Sequence, residues 1–92
     1  MNKLTDTEVQ DRLRDLPGWT IEAGELTRTI QSANFLAALR LVNQVGELAE
    51  AAGHHPDIDI RYNRVRLSLV THDAGGLTGK DFQLAGQIDK LL

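Results

Sequence analysis

The chain has no cysteine, which excludes disulfides and thiolate metal sites and leaves its redox compartment open. Large side chains are scarce, with one Trp, one Tyr and two Phe in 92 residues. A core of Leu, Val, Ile and Ala at this length stands near the lower limit of self-sufficiency and would gain from oligomerisation. No apolar run approaches the roughly 20 residues that span a membrane, and MNKLTDTEVQ at the N-terminus lacks the apolar stretch of a secretory signal. The expected address is cytoplasmic, without membrane contact. Positive charge is not in excess either: a formal net charge of −3 argues against general nucleic-acid binding. The one basic cluster, Arg61, Arg64 and Arg66, falls around a turn and reads as a solvated hairpin tip.

What the chain does have is clear local punctuation, read here as one domain over residues 1–92. Thr5-Asp6-Thr7-Glu8 fits a capping box, with Leu4 and Val9 placed as a hydrophobic staple. Val9, Leu13 and Leu16 continue at helical spacing until Pro17-Gly18 stops the first helix. Trp19–Ala23 and Leu26–Gln31 read as strands joined at Gly24-Glu25 in a type II′ turn, a register that opposes Ile21 to Arg28. Arg28 then falls on the apolar face, as an arginine snorkelling at a sheet edge.

Ser32 or Asn34 can cap a second helix running to about Ala52, with Gly53 at the left-handed position after it. Phe35, Leu39, Val42, Val45 and Ala49 form one apolar stripe, and Leu41 and Leu48 another beside Ala37 and Ala52. That surface is wider than one sheet face needs, and the excess reads as a subunit contact. Ile58, Ile60 and Tyr62 alternate with charges in a third strand, and Val65, Leu67 and Leu69 in a fourth, with Asn63-Arg64 as the loop between them. Thr78 caps a last helix, with Asp81 at its third position and Leu84, Ile88 and Leu91 facing inward. The order α-β-β-α-β-β-α predicts an α+β fold: a four-stranded antiparallel sheet with three helices packed on one face.

All three histidines lie within EAAGHHPDIDIRYNRVRLSLVTH, Glu50 to His72. Opposing Tyr62 to Val65 carries the register back to His55 opposite His72, where facing Cβ atoms stand about 4.5–5.5 Å apart. His54 adjoins that pair, and Glu50 lies one turn back on the incoming helix. Imidazole titrates near neutrality, so such a cluster can hold both an acid and a base. Any one of these histidines alone would need no function. Zinc is the rival reading, but adjacent His54 and His55 project apart and no HExxH spacing is present. Asp81 and Glu50 could be plain helix residues, and Trp19 plain core. GGLTGK fails as a phosphate loop, because Ala74 stands where the first Gly should be and Asp81 replaces the Ser or Thr.

These residues resemble the pterin-4a-carbinolamine dehydratases, whose pattern is an acidic or related residue, three others, His-His-Pro, an aromatic, a later His, then Asp. Glu50, His54-His55-Pro56, Tyr62, His72 and Asp81 match it at the right spacings. Pro17-Gly18-Trp19, YNRVRLSLVTH, the AGGLT loop and Asp-x-x-Leu-Ala in the last helix are similar too, so the likeness runs over most of the chain. It implies the same α+β fold, a homodimer or homotetramer through the second helix and a sheet edge, and dehydration of 4a-hydroxytetrahydropterin to the quinonoid dihydropterin. No metal and no other cofactor is implied. By resemblance, His54 and His72 do the acid/base work and His55 mainly binds substrate. Glu50 and Asp81 would orient imidazoles, and Pro56, Thr71 and Trp19 would bind substrate or support the site. A second class of function is open, because some family members act as dimerisation cofactors of transcription regulators, a role that needs a helix surface rather than imidazoles.

Overall fold

A computed structural model describes residues 2–92. Its order is α1 (Asp6–Leu13), β1 (Thr20–Glu22), β2 (Glu25–Gln31), α2 (Phe35–Ala52), β3 (Asp57–Arg61), β4 (Arg64–Leu69), a 3-10 turn (His72–Ala74) and α3 (Gly79–Asp89). The strands form one antiparallel sheet in the order β1-β2-β4-β3. This is the expected α-β-β-α-β-β-α arrangement.

Helix starts follow local chemistry. Thr5 and Glu8 make the expected capping box, with Thr5 N–H donating to Glu8 at 2.9 Å. Asn34, one of the two expected caps, accepts from Ala37 N–H at 2.9 Å. Thr78 and Asp81 make a second capping box on α3.

The alternation of the strands places Leu26, Ile30, Val65, Leu67 and Leu69 on one face. There they share a core with Val9 and Leu16, with Ala38, Leu41, Val45 and Ala49 of α2, and with Phe82, Leu84, Ala85 and Ile88 of α3. The other face carries Thr20, Thr27, Ser68 and Asp57 in one row and Thr29, Arg66 and Asp59 in the next. Most of that face is exposed; Thr27 and Ser68 are buried at its centre, where Ser68 Oγ donates to Glu25 Oε1 at 2.6 Å. The expected α2 stripe is rotated in part: Ala38 is buried in place of Phe35, which is 46% exposed beside Leu36 at 61%. Among the described residues no helix is long and apolar enough to cross a membrane.

Both hairpins correct the sequence reading by two residues. In the first the loop is Ala23-Gly24, so Ile21 pairs with Leu26 and not with Arg28. Both loop residues take positive φ, 51° and 79°, as a type I′ turn requires and a type II′ turn does not. Trp19 precedes β1 rather than opening it. Arg28 is not at a sheet edge. It lies in a central strand opposite Leu67 and reaches Asp89, at the end of α3, at 2.8 Å. In the second hairpin the loop is Tyr62-Asn63, with Ile60 opposite Val65 and Ile58 opposite Leu67. Pairing ends at Asp57 and Ser68, so His55 does not oppose His72 across the ladder.

Candidate active site

The end of α2 fixes His54. Gly53 takes φ 62°, in the left-handed region where glycine avoids the Cβ clash. Gly53 N–H then bonds Glu50 O at 3.2 Å and His54 N–H bonds Ala49 O at 3.1 Å. These are the two bonds of a Schellman motif, and they turn the chain sharply back at His54. Pro56 disfavours helical backbone at His55, and β3 begins at the next residue, Asp57.

A second reversal comes after β4. Thr71 N–H bonds Gly76 O at 3.1 Å across the 3-10 turn, and Gly75 takes φ 75°. The turn brings Thr71 back onto the start of α3, where its hydroxyl meets that of Thr78 at 2.8 Å. His72 follows Thr71 on the exposed side of the turn.

Asp81 joins the two reversals. Its Oδ2 accepts from Thr71 Oγ1 and from Thr78 N–H, each at 2.9 Å, and its Oδ1 lies 2.5 Å from His54 Nε2. The carboxylate has 0% exposure, and the His54 side chain 11%. A buried carboxylate with this many donors holds an imidazole in one orientation. The helix-capping duty expected of Asp81 is present as well, so one side chain does both.

The remaining candidates are placed differently. His55 is 62% exposed and meets Glu50 at 3.3 Å, a solvent-side pair. No histidine ring bonds another among the described residues. The structure brings His54, Asp81 and Thr71 into one network, with His55 and His72 each one residue from a member of it. Trp19 is buried, and its indole N–H donates to Asp89 Oδ1 at 2.8 Å. Asp89 lies eight residues beyond Asp81 on α3, roughly 12 Å along the axis at 1.5 Å per residue. The sequence marks Thr78 only as a cap. Its place beside Thr71 depends on a tertiary reversal that no local pattern announces.

A cavity of about 390 Å³ lies against His54, walled by Leu48, Ala52 and Leu84 with Lys80 and Gln83 at its polar side. Among the described residues, no group of three or more His, Asp or Glu is placed to hold a metal ion.

Comparison with known proteins identifies the family. Residues 2–91 match the family model described as pterin 4 alpha carbinolamine dehydratase. A protein of Acidobacterium capsulatum, provisionally named a pterin-4-alpha-carbinolamine dehydratase, is 58% identical over the whole of both chains. One of the same provisional name from Chloroflexus aurantiacus is 58% identical over 100% of this chain and 99% of its own. The crystal structure of a transcriptional coactivator/pterin dehydratase from Brucella melitensis superposes with a TM-score of 0.93 at 33% identity, covering 98% of each chain. The chain belongs to the pterin-4a-carbinolamine dehydratase family.

Proposed function

We propose that this protein removes water from a 4a-hydroxytetrahydropterin to give the quinonoid dihydropterin, recycling a pterin cofactor by histidine acid/base catalysis in the cytoplasm. The observation that carries the reading is the buried Asp81 carboxylate on the His54 imidazole. A helix cap alone would not need the second oxygen.

The reaction breaks the C4a–O bond, forms the C4a=N5 double bond and releases the N5 proton. Hydroxide leaves poorly, so an acid must protonate it as it departs while a base takes the proton from N5. His54 and His72 fill these roles, and His55 holds the ring, steadied by Glu50. Thr71 and Pro56 shape the two chain reversals behind them. Trp19 acts through the packing of α3 rather than by touching the pterin.

Stopped-flow dehydration of the 4a-hydroxypterin tests this. His54→Ala and His72→Ala should each lower kcat by about 10²–10⁴-fold, and His55→Ala should act mainly on KM. Wild-type protein no faster than buffer would end the enzyme reading.

Assembly as a homodimer or homotetramer belongs to the same proposal. β3 is a sheet edge, and a second copy paired antiparallel about Ile60 would set Asp59 against Arg61 twice, with Ile58 and the loop residue Tyr62 beside the seam. Both Ile58 and Tyr62 are exposed in the single chain. A second contact would use the open α2 face at Phe35 and Leu36.

That same α2 face supports a second reading, an interaction module for a transcription regulator, in line with the coactivator name of the Brucella melitensis protein. Histidine variants that lose dehydration but keep a partner-binding function would separate the two.

A further inference from the structure

The two oxygens of Asp81 have unlike surroundings. Among the described residues Oδ1 meets only the His54 ring, whereas Oδ2 receives Thr78 N–H and the Thr71 hydroxyl. Donor accounting settles which way the two hydroxyl protons point. Thr78 Oγ1 already accepts from Lys80 N–H at 3.3 Å at the start of α3. Among the described residues, the acceptor left for its own proton is Thr71 Oγ1, at 2.8 Å. Thr71 then sends its proton to Asp81 Oδ2. In the reverse direction the Thr78 hydroxyl, in a residue with 0% exposure, would keep a proton with no acceptor.

We infer that Thr71 and Thr78 are positioning residues: a one-way donor chain that fills Oδ2 of the Asp81 carboxylate, leaves Oδ1 to the ring and fixes the proton of the neutral His54 ring on Nε2. Nδ1 is then the atom of His54 that exchanges protons. It has no hydrogen-bond partner among the described residues, and it is not among the sealed, unpaired polar atoms, so solvent or a substrate can reach it. In the dehydration, Nδ1 takes the proton from N5 or, when charged, delivers one to the departing hydroxyl. That last step alone rests on the functional reading; the tautomer does not.

Nitrogen-15 NMR of the histidine rings, at a pH above their titration, tests the inference without substrate. Wild-type His54 should carry its proton on Nε2, and a proton on Nδ1 overturns the inference. Asp81→Asn gives the sharper result. The donor chain requires the amide oxygen on the threonine side, so the NH2 faces His54 and the ring must change to the Nδ1–H form. A ring that stays Nε2–H in that variant also overturns it. Thr71→Val removes one donor from the carboxylate, which strengthens the remaining bond, so the His54 Nε2–H proton should move downfield and return in Thr71→Ser. A resonance that Thr71→Val leaves in place would make the threonines merely structural. A protein with the expected tautomer and no dehydratase activity sinks the functional reading alone. An active enzyme with the opposite tautomer sinks only this inference.

Discussion

Two carboxylates touch histidines in this protein, and burial gives them very different weights. Asp81→Ala strands Thr78 N–H, the Thr71 hydroxyl and His54 Nε2 at a place with 0% exposure. A stranded buried donor costs about 1–3 kcal/mol. The two hydroxyls still have each other and the imidazole can turn toward solvent, so roughly two of the three donors' cost remains, about 3–5 kcal/mol for donors taken from a charged acceptor. A chain of this length has roughly 5–14 kcal/mol of stability in all, at about 0.05–0.15 per residue. The substitution should therefore take a large share of the reserve and lower Tm by at least about 12 °C, at roughly 4–8 °C per kcal/mol. The Glu50–His55 pair has side chains 81% and 62% exposed, and solvent screening leaves such pairs about 0–1 kcal/mol. Glu50→Ala should thus unfold within about 0.5 kcal/mol of wild type, so any loss of activity there is a loss of site chemistry. Urea and thermal unfolding followed by circular dichroism measure both, with activity compared well below either transition. An Asp81→Ala protein within about 1 kcal/mol of wild type would refute the buried network as a source of stability.

The far end of α3 offers a control. Asp89→Ala should cost about 2–3 kcal/mol by leaving the Trp19 indole unpaired, and less than half of that in a Trp19→Phe background, as a double-mutant cycle would read; an unchanged KM in both would mark Trp19 as packing. Ala23 and Tyr62 sit at positive φ, 51° and 50°, so Ala23→Asn and Tyr62→Asn should each stabilise by about 0.5 kcal/mol in urea melts, and a loss at either would place compensating contacts there. Glu8 is held below its ordinary value of 4.5 by the Thr5 backbone N–H and then by the Thr5 side chain. A depressed carboxyl contributes stability that is present above its unfolded value and lost as pH falls through its folded one. Wild type should therefore lose slightly more stability than Glu8→Gln between pH 5 and the acid transition, and parallel acid limbs would contradict the capping geometry.

The parts of the fold that neighbouring residues decide were legible in the sequence. Three helix starts, the left-handed Gly53 and the face of each long strand all follow from contacts within a few positions. Registers did not follow, because both turns place a non-glycine residue at positive φ, against local preference. What sets them is distant: Leu26 between Ile21 and Leu69, and Arg28 reaching Asp89 from a central strand. The two-residue shift removes the facing of His55 and His72 that the pattern suggested. Asp81 was legible as a cap and, by family likeness, as a companion of imidazole. Its bond to His54 depends on two chain reversals meeting 27 residues apart, which no periodicity encodes.

Because one side chain both starts α3 and steadies the imidazole, damage at that point cannot stay local. A change that frees His54 also uncaps the last helix, whose Phe82, Leu84, Ala85 and Ile88 close the interior. Faulty variants should therefore first show as low yield, protease sensitivity or heat lability, and only afterwards as slow turnover. Screens that discard poor expressers would remove the substitutions most informative about the chemistry before any rate was measured.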